Sequence, residues 1–261
     1  MSEVYRPENE PERSGQEGSE QERKNPEIVS FRLIEGKPIV TYALIGVTAL
    51  MYLMQALSKW RFGHDYPLEM GAKWSPFITY YHQYWRLITP VFLHGSLMHI
   101  LFNMYSLFTL GPALEHYYGH WNFLRFYLIC GFTGNVVSHV ASPSTISVGA
   151  STALFGLIAA QAMFFYKNRR ILRNYRRALQ NILFVILVNL AMGMRGGIDN
   201  WGHLGGLIGG ALLSYLCGPE LAFLIDPERQ KPVLIDTVPA KRREISCALV
   251  TIFFAVLAFA L

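Results

Sequence analysis

The chain has 261 residues, of which 52% are hydrophobic and 16% charged, and its net charge is +5. Soluble domains carry about a quarter charged residues, so the composition excludes an ordinary soluble domain, and the long apolar runs point to membrane spans. The basic residues gather at the ends of those runs, which marks membrane topology and argues against a nucleic-acid-binding surface.

Residues 1–30 are polar, rich in Glu and almost without large apolar side chains. They cannot bury a core, so a disordered, solvated tail is expected. The first apolar run begins near Pro38, too far along the chain for a secretory signal peptide. Seven apolar segments follow, at 38–57, 96–114, 123–140, 148–166, 178–194, 201–217 and 245–261. Several are short for a spanning helix, which needs about 17–25 residues. Helix is nonetheless expected, because a segment in lipid must satisfy its own backbone, and the alternation of a membrane β-barrel is missing. The predicted fold class is all-α, a polytopic membrane helix bundle. Cys130, Cys217 and Cys247 each lie inside an apolar run. An odd, buried set makes no disulfide framework, and they read as small hydrophobes without a role.

Orientation follows from Lys and Arg. Lys167, Arg169, Arg170, Arg173, Arg176 and Arg177 join the fourth and fifth segments, Lys241, Arg242 and Arg243 precede the seventh, and Arg23, Lys24, Arg32 and Lys37 precede the first. All three groups are cytoplasmic if the chain makes seven spans with its N-terminus inside and its C-terminus outside. Residues 218–244 then form a cytoplasmic linker. The loop at 58–95 falls outside and carries Trp60, Phe62, Tyr66, Trp74, Phe77, Tyr80, Tyr81, Tyr84 and Trp85. Few charges accompany these rings, so the loop is expected to rest in the membrane interface.

Polar residues inside spans are costly and usually functional. Three clusters stand out. Gly149-Ala150-Ser151-Thr152 opens the fourth segment, where free N–H groups at a helix start can hold an oxyanion. Small residues around a Ser also suit plain helix packing. Trp201-Gly202-His203 opens the sixth segment, with Gly202, Gly206 and Gly210 in one stripe and Gly205 and Gly209 in another. Those stripes permit a close helix neighbour; if it is the fourth segment, His203 can reach Ser151 and serve as its base. His99 and Asn103 share one face of the second segment and could donate to an oxyanion. Zinc on His94, His99, His116 and His203 is disfavoured, since no paired carboxylate or Cys spacing supports it and His116 belongs to the opposite membrane face. Topology places the other polar residues at one depth, which unrelated packing features have no reason to share. Asp199 reads as a loop charge or helix cap, so a Ser-His dyad is expected in place of a triad.

In this order the motifs resemble the rhomboid family of intramembrane serine proteases, from about Pro38 to Cys217. Trp85-Arg86 is similar to that family's pair in the first loop. His94, His99 and Asn103 match its second-helix pattern, and Gly111-Pro112, Glu115 and Gly119 resemble the end of that helix. Gly149-Ala150-Ser151 matches the nucleophile motif, and His203 with Gly206 and Gly210 matches the base motif. The resemblance implies a six-helix catalytic domain at 38–217 with the seventh helix at 245–261 appended. It implies a Ser151–His203 dyad, an oxyanion hole from His99, Asn103 and the Ser151 N–H, and Phe155 against the catalytic His. It makes Trp85, Arg86 and Glu115 structural. It implies no cofactor and no metal, and as partners transmembrane protein substrates and the lipid bilayer, with no nucleic acid; oligomeric state is not legible. The plasma membrane, with the site toward the outer face, is the expected location. One departure is Thr152, where the family pattern has Gly; a β-branched side chain there is expected to crowd the substrate's approach. Competing readings are a non-catalytic binder of transmembrane clients, a small-solute transporter and a membrane anchor. The first would lack the Ser or the His, the second would show internal repeats, and the third leaves the polar clusters unexplained.

Overall fold

The computed structural model describes residues 37–172, 174–194, 197–225 and 232–259; the polar stretch at 1–30, expected to be disordered, lies outside the described residues. Each apolar segment forms a helix: α1 (Ile39–Phe62), α4 (Leu97–Tyr118), α5 (His120–Ala141), α6 (Ser151–Lys167), α7 (Tyr175–Gly193), α8 (Asn200–Cys217) and α9 (Ala240–Phe259). Two of them, α1 and α4, are long and apolar enough by themselves to cross a membrane, with mean hydropathy 1.7 and 1.3. Large apolar side chains face outward along the helices, among them Leu50, Leu53 and Leu57 on α1, Phe102 and Phe108 on α4, Phe184 and Leu187 on α7, and Phe253 and Val256 on α9. In water such a belt would aggregate; in a bilayer it is the lipid-facing surface of a polytopic helix bundle.

The first loop holds two short helices, α2 (Tyr66–Gly71) and α3 (Ser75–Tyr81), followed by 3₁₀ turns at Tyr84–Leu87 and Thr89–Phe92. Arg86 pins it: its guanidinium donates to the carbonyls of Ala72 and Glu69, both at 2.8 Å, and to Gln83 Oε1 at 2.7 Å, and lies over the Phe77 ring. Trp85 Nε1 donates to the Met70 carbonyl at 3.0 Å. Asp65 caps α2 through the Leu68 N–H, and Ser96 caps α4 through the His99 N–H.

Glu115 is buried near the far end of α4 and accepts from the Val40 N–H at 2.9 Å, the Thr41 N–H at 2.7 Å and the Thr41 hydroxyl at 2.6 Å, with the His120 imidazole beside it. One carboxylate thus satisfies the open N–H groups of α1 and ties α1 to the α4–α5 corner.

At that same end the linker is not plain coil. Strands β1 (Leu221–Ile225) and β2 (Pro232–Asp236) pair antiparallel, Leu221 opposite Asp236. Lys167 Nζ donates to the carbonyls of Ser214, Tyr215 and Gly218 and pairs with Glu220 at 2.7 Å; Asn168 Oδ1 accepts from the Leu221 N–H; Asp236 pairs with Arg243. The hairpin is thereby stapled to the ends of α6, α8 and α9.

The centre of the bundle is α5, α6 and α8 packed at backbone contact. A Cβ placed on Gly206 would overlap the Thr152 carbonyl, and one on Gly210 would overlap Gly156. The other stripe faces α5: a Cβ on Gly205 would lie 2.8 Å from the Thr133 carbonyl, and one on Gly209 would strike the Thr133 side chain. Each glycine stripe of α8 therefore serves a different neighbour, α6 or α5.

Candidate active site

Ser151 begins α6 and His203 lies in the first turn of α8, so the glycine contact at Gly206 brings the two side chains to the same end of the bundle. His203 Nε2 is 2.9 Å from Ser151 Oγ. The imidazole is buried and stacks on the Phe155 ring, centroids 4.1 Å apart and planes 14° from parallel. Ser151 and Phe155 are one turn apart on α6, so the same helix supplies the hydroxyl and the surface that fixes its partner. Among the described residues, His203 Nδ1 is buried with no hydrogen-bond partner. Asp199, the nearest acid in sequence, is committed elsewhere: one oxygen accepts from the Gly202 N–H at 2.9 Å, capping α8, and the other accepts from the Ser138 hydroxyl. Among the described residues, the arrangement is a Ser-His pair without an orienting acid.

Gly149 lies two residues before Ser151 with φ +124°, a conformation that a side chain would strain. A Cβ there would lie 2.6 Å from His99 Nε2 and 3.6 Å from Ser151 Oγ, so the His99 ring and the Ser151 hydroxyl flank the same bare stretch of backbone. Asn103, one turn along α4, is buried; its Nδ2 donates to the His99 carbonyl at 2.9 Å and retains a second N–H. His94 is buried beneath them, its ring in edge contact with His99 and its Nε2 facing the Ala150 N–H at 3.4 Å. Burial pushes the His94 pKa down to about 3, so it stays neutral at any working pH. Among the described residues, no group of three or more His, Cys, Asp and Glu side chains gathers as a metal site.

Of the two roles open to Thr152, lining the substrate cleft or packing, the structure shows packing. It is buried, and its methyl and Cβ fill the junction of α5, α6 and α8, against Gly134 and Gly202. Successive residues on a helix point about 100° apart, so the side chain after Ser151 turns inward. Two residues near the site escaped the sequence reading. Gln55 on α1 is buried, donating to the His94 carbonyl and accepting from the His94 N–H, both at 3.1 Å. Lys73 is buried beside the loop that leads to Ser151. A lone amide in an apolar span is the signal that could have revealed Gln55.

The family model for the Rhomboid domain matches residues 81–220, more than half the chain. This protein belongs to the rhomboid family. Among similar proteins, rhomboid protease GluP of Bacillus subtilis (strain 168) is 36% identical over 192 residues, covering 73% of this chain and 37% of that protein. RHOMBOID-like protein 1 of Arabidopsis thaliana is 39% identical over 160 residues, covering 61% of this chain and 40% of that one. YdcA of Bacillus subtilis, whose name also places it among the rhomboids, is 33% identical over 189 residues, covering 69% of this chain and 88% of YdcA. The chain spans less than half the length of the first two of these relatives. Rhomboids are integral membrane proteins, and the outward apolar belt of this chain suits that setting.

Proposed function

We propose that this rhomboid is an intramembrane serine endopeptidase that hydrolyses peptide bonds near the outer ends of transmembrane segments in membrane proteins. The observation that carries the reading is the 2.9 Å contact between His203 Nε2 and Ser151 Oγ, with the imidazole stacked on Phe155. A Ser hydroxyl is a weak nucleophile at neutral pH and needs such a base. His203 accepts the Ser151 proton as Oγ attacks the scissile carbonyl; the amine leaves with that proton, and water entering from the outer side hydrolyses the acyl-enzyme. The Ser151 N–H at the start of α6, His99 and Asn103 are the donors proposed for the oxyanion. No cofactor enters this chemistry. The substrate helix unwinds locally to offer an extended bond, so segments with helix-weakening residues are favoured.

In this reading the N-terminus is cytoplasmic, the dyad faces the outer side of the plasma membrane, and the aromatic loop rests in the interface. The test is a fluorophosphonate probe on purified protein in detergent. Labelling of Ser151 that is lost in Ser151→Ala and in His203→Ala is expected. A folded wild type that takes no label would instead favour a non-catalytic binder of transmembrane clients.

A further inference from the structure

Lys73 is a fully buried cation that the Ser151 chemistry does not use. It lies in the first loop between α2 and α3, and its backbone forms a two-way bridge with Ser147, N–H to carbonyl at 2.9 and 3.0 Å. Ser147 stands four residues before Ser151. The ammonium donates to three carbonyls: Ser138 at 3.2 Å, Ser142 at 3.0 Å and Thr145 at 2.8 Å. The first two lie at the C-terminus of α5, where the helix dipole favours a cation. The third lies in the turn that begins the nucleophile loop. An ammonium has three N–H groups, and all three are used.

The chain of contacts continues. Ser138, whose carbonyl Lys73 holds, donates its hydroxyl to Asp199, and Asp199 caps α8 next to His203. Lys73 therefore joins the loop ahead of the nucleophile to the helix that carries the base.

We propose that the Lys73 ammonium is a positioning group for the Ser151–His203 pair, holding the 142–150 loop and, through Ser138 and Asp199, the start of α8 in reactive register. The inference rests on the protease reading above. Among the described residues, the titratable groups that interact electrostatically with Lys73 are Asp199 at the start of α8 and His139 on α5, while the Arg86 guanidinium is bound to the carbonyl of the adjacent Ala72. Burial pushes the Lys73 pKa down to about 8, with Asp199 partly opposing it. Above that pH the amine has lost one donor and its charge, and the clamp loosens.

Stability responds with the opposite sign. The folded pKa is about 8, and the unfolded value is about 10.4. Between them the unfolded chain binds more protons, so this group adds stability as pH rises. A fall in activity across that window therefore does not come from a loss of this group's contribution to stability.

The test is the rate of fluorophosphonate labelling at Ser151 in the full chain, from about pH 6 to 10, with the melting temperature taken at each pH. The wild-type rate is expected to fall above about pH 8 while the melting temperature does not. Lys73→Met is expected to label about 10- to 100-fold more slowly, the cost of a small misplacement, and to lack the alkaline fall. Asp199→Asn keeps the helix cap but removes the opposing charge, so it is expected to move the fall to lower pH. A wild-type rate that stays level through pH 10, or a Lys73→Met protein that matches the wild type, overturns the proposal. If Lys73→Met does not fold, the wild-type and Asp199→Asn profiles decide it. Failure of the wild type to label Ser151 at any pH is a different result and defeats the protease reading itself.

Discussion

At the scale of the residue, Thr152 carries the clearest lesson. The sequence places a β-branched side chain directly after Ser151, the proposed nucleophile, and it could either crowd the substrate or pack between helices. Helix geometry turns the side chain inward, against Gly134 and Gly202, with its hydroxyl buried and, among the described residues, unpartnered. Thr152→Val replaces that unpaired hydroxyl with a methyl, so thermal unfolding should show equal or higher stability. Cleavage preference across a substrate panel should be unchanged; altered preference would contradict the inward placement. For the proposed oxyanion donors, His99→Ala and Asn103→Ala should each slow acylation by about 10²–10³-fold, measured as labelling or cleavage rate. Ser151 and His203 were legible because each stands out as a polar residue at the start of an apolar, glycine-bearing segment. Lys73 and Gln55 were not, because each bonds mainly to backbone carbonyls and N–H groups whose location no spacing rule reveals.

At the scale of the element, α8 shows why its glycines are arranged as two stripes. Gly206 and Gly210 admit α6, while Gly205 and Gly209 admit α5. The sequence displayed both stripes, but only packing assigns each to a neighbour. Gly206→Ala drives a methyl into the Thr152 carbonyl, an overpacking cost of about 1–3 kcal/mol. It also separates the helices bearing Ser151 and His203, so labelling should fall further than the loss of folded protein explains. Gly46 on α1 has nothing within 4 Å of a built Cβ. Gly46→Ala is the matching control and should leave labelling intact while raising stability by up to about 1 kcal/mol. The hairpin at Leu221–Ile225 and Pro232–Asp236 was invisible beforehand, because short apolar runs read as linker until Asn168 and Asp236 are seen to hold them.

At the scale of the whole molecule, the seven apolar runs sufficed to anticipate the order of the long helices, since lipid leaves a spanning backbone few alternatives. Helix ends were less legible. α1 runs on to Phe62, past the end of the first apolar run at Leu57, and α9 starts at Ala240, ahead of the seventh run at Ile245. The seventh helix packs Val250, Phe254 and Ala258 inward, and Phe259 meets Tyr84 of the first loop edge-on at 4.8 Å. It therefore belongs to the packed body, and Phe254→Ala should cost on the order of 3 kcal/mol, read from thermal unfolding. The proposed topology makes its own demand. In a background with the three native cysteines replaced, Trp60→Cys should react with a membrane-impermeant thiol reagent from outside, and Arg170→Cys only after permeabilisation.

The measurement that bears most directly on the central claim is cleavage of single-pass membrane substrates in proteoliposomes, comparing the wild type with Ser151→Ala and His203→Ala. The Ser-His account expects a cut near the outer end of the substrate's transmembrane segment by the wild type, and none by either variant. Cleavage that persists in Ser151→Ala would contradict it and place the nucleophile elsewhere.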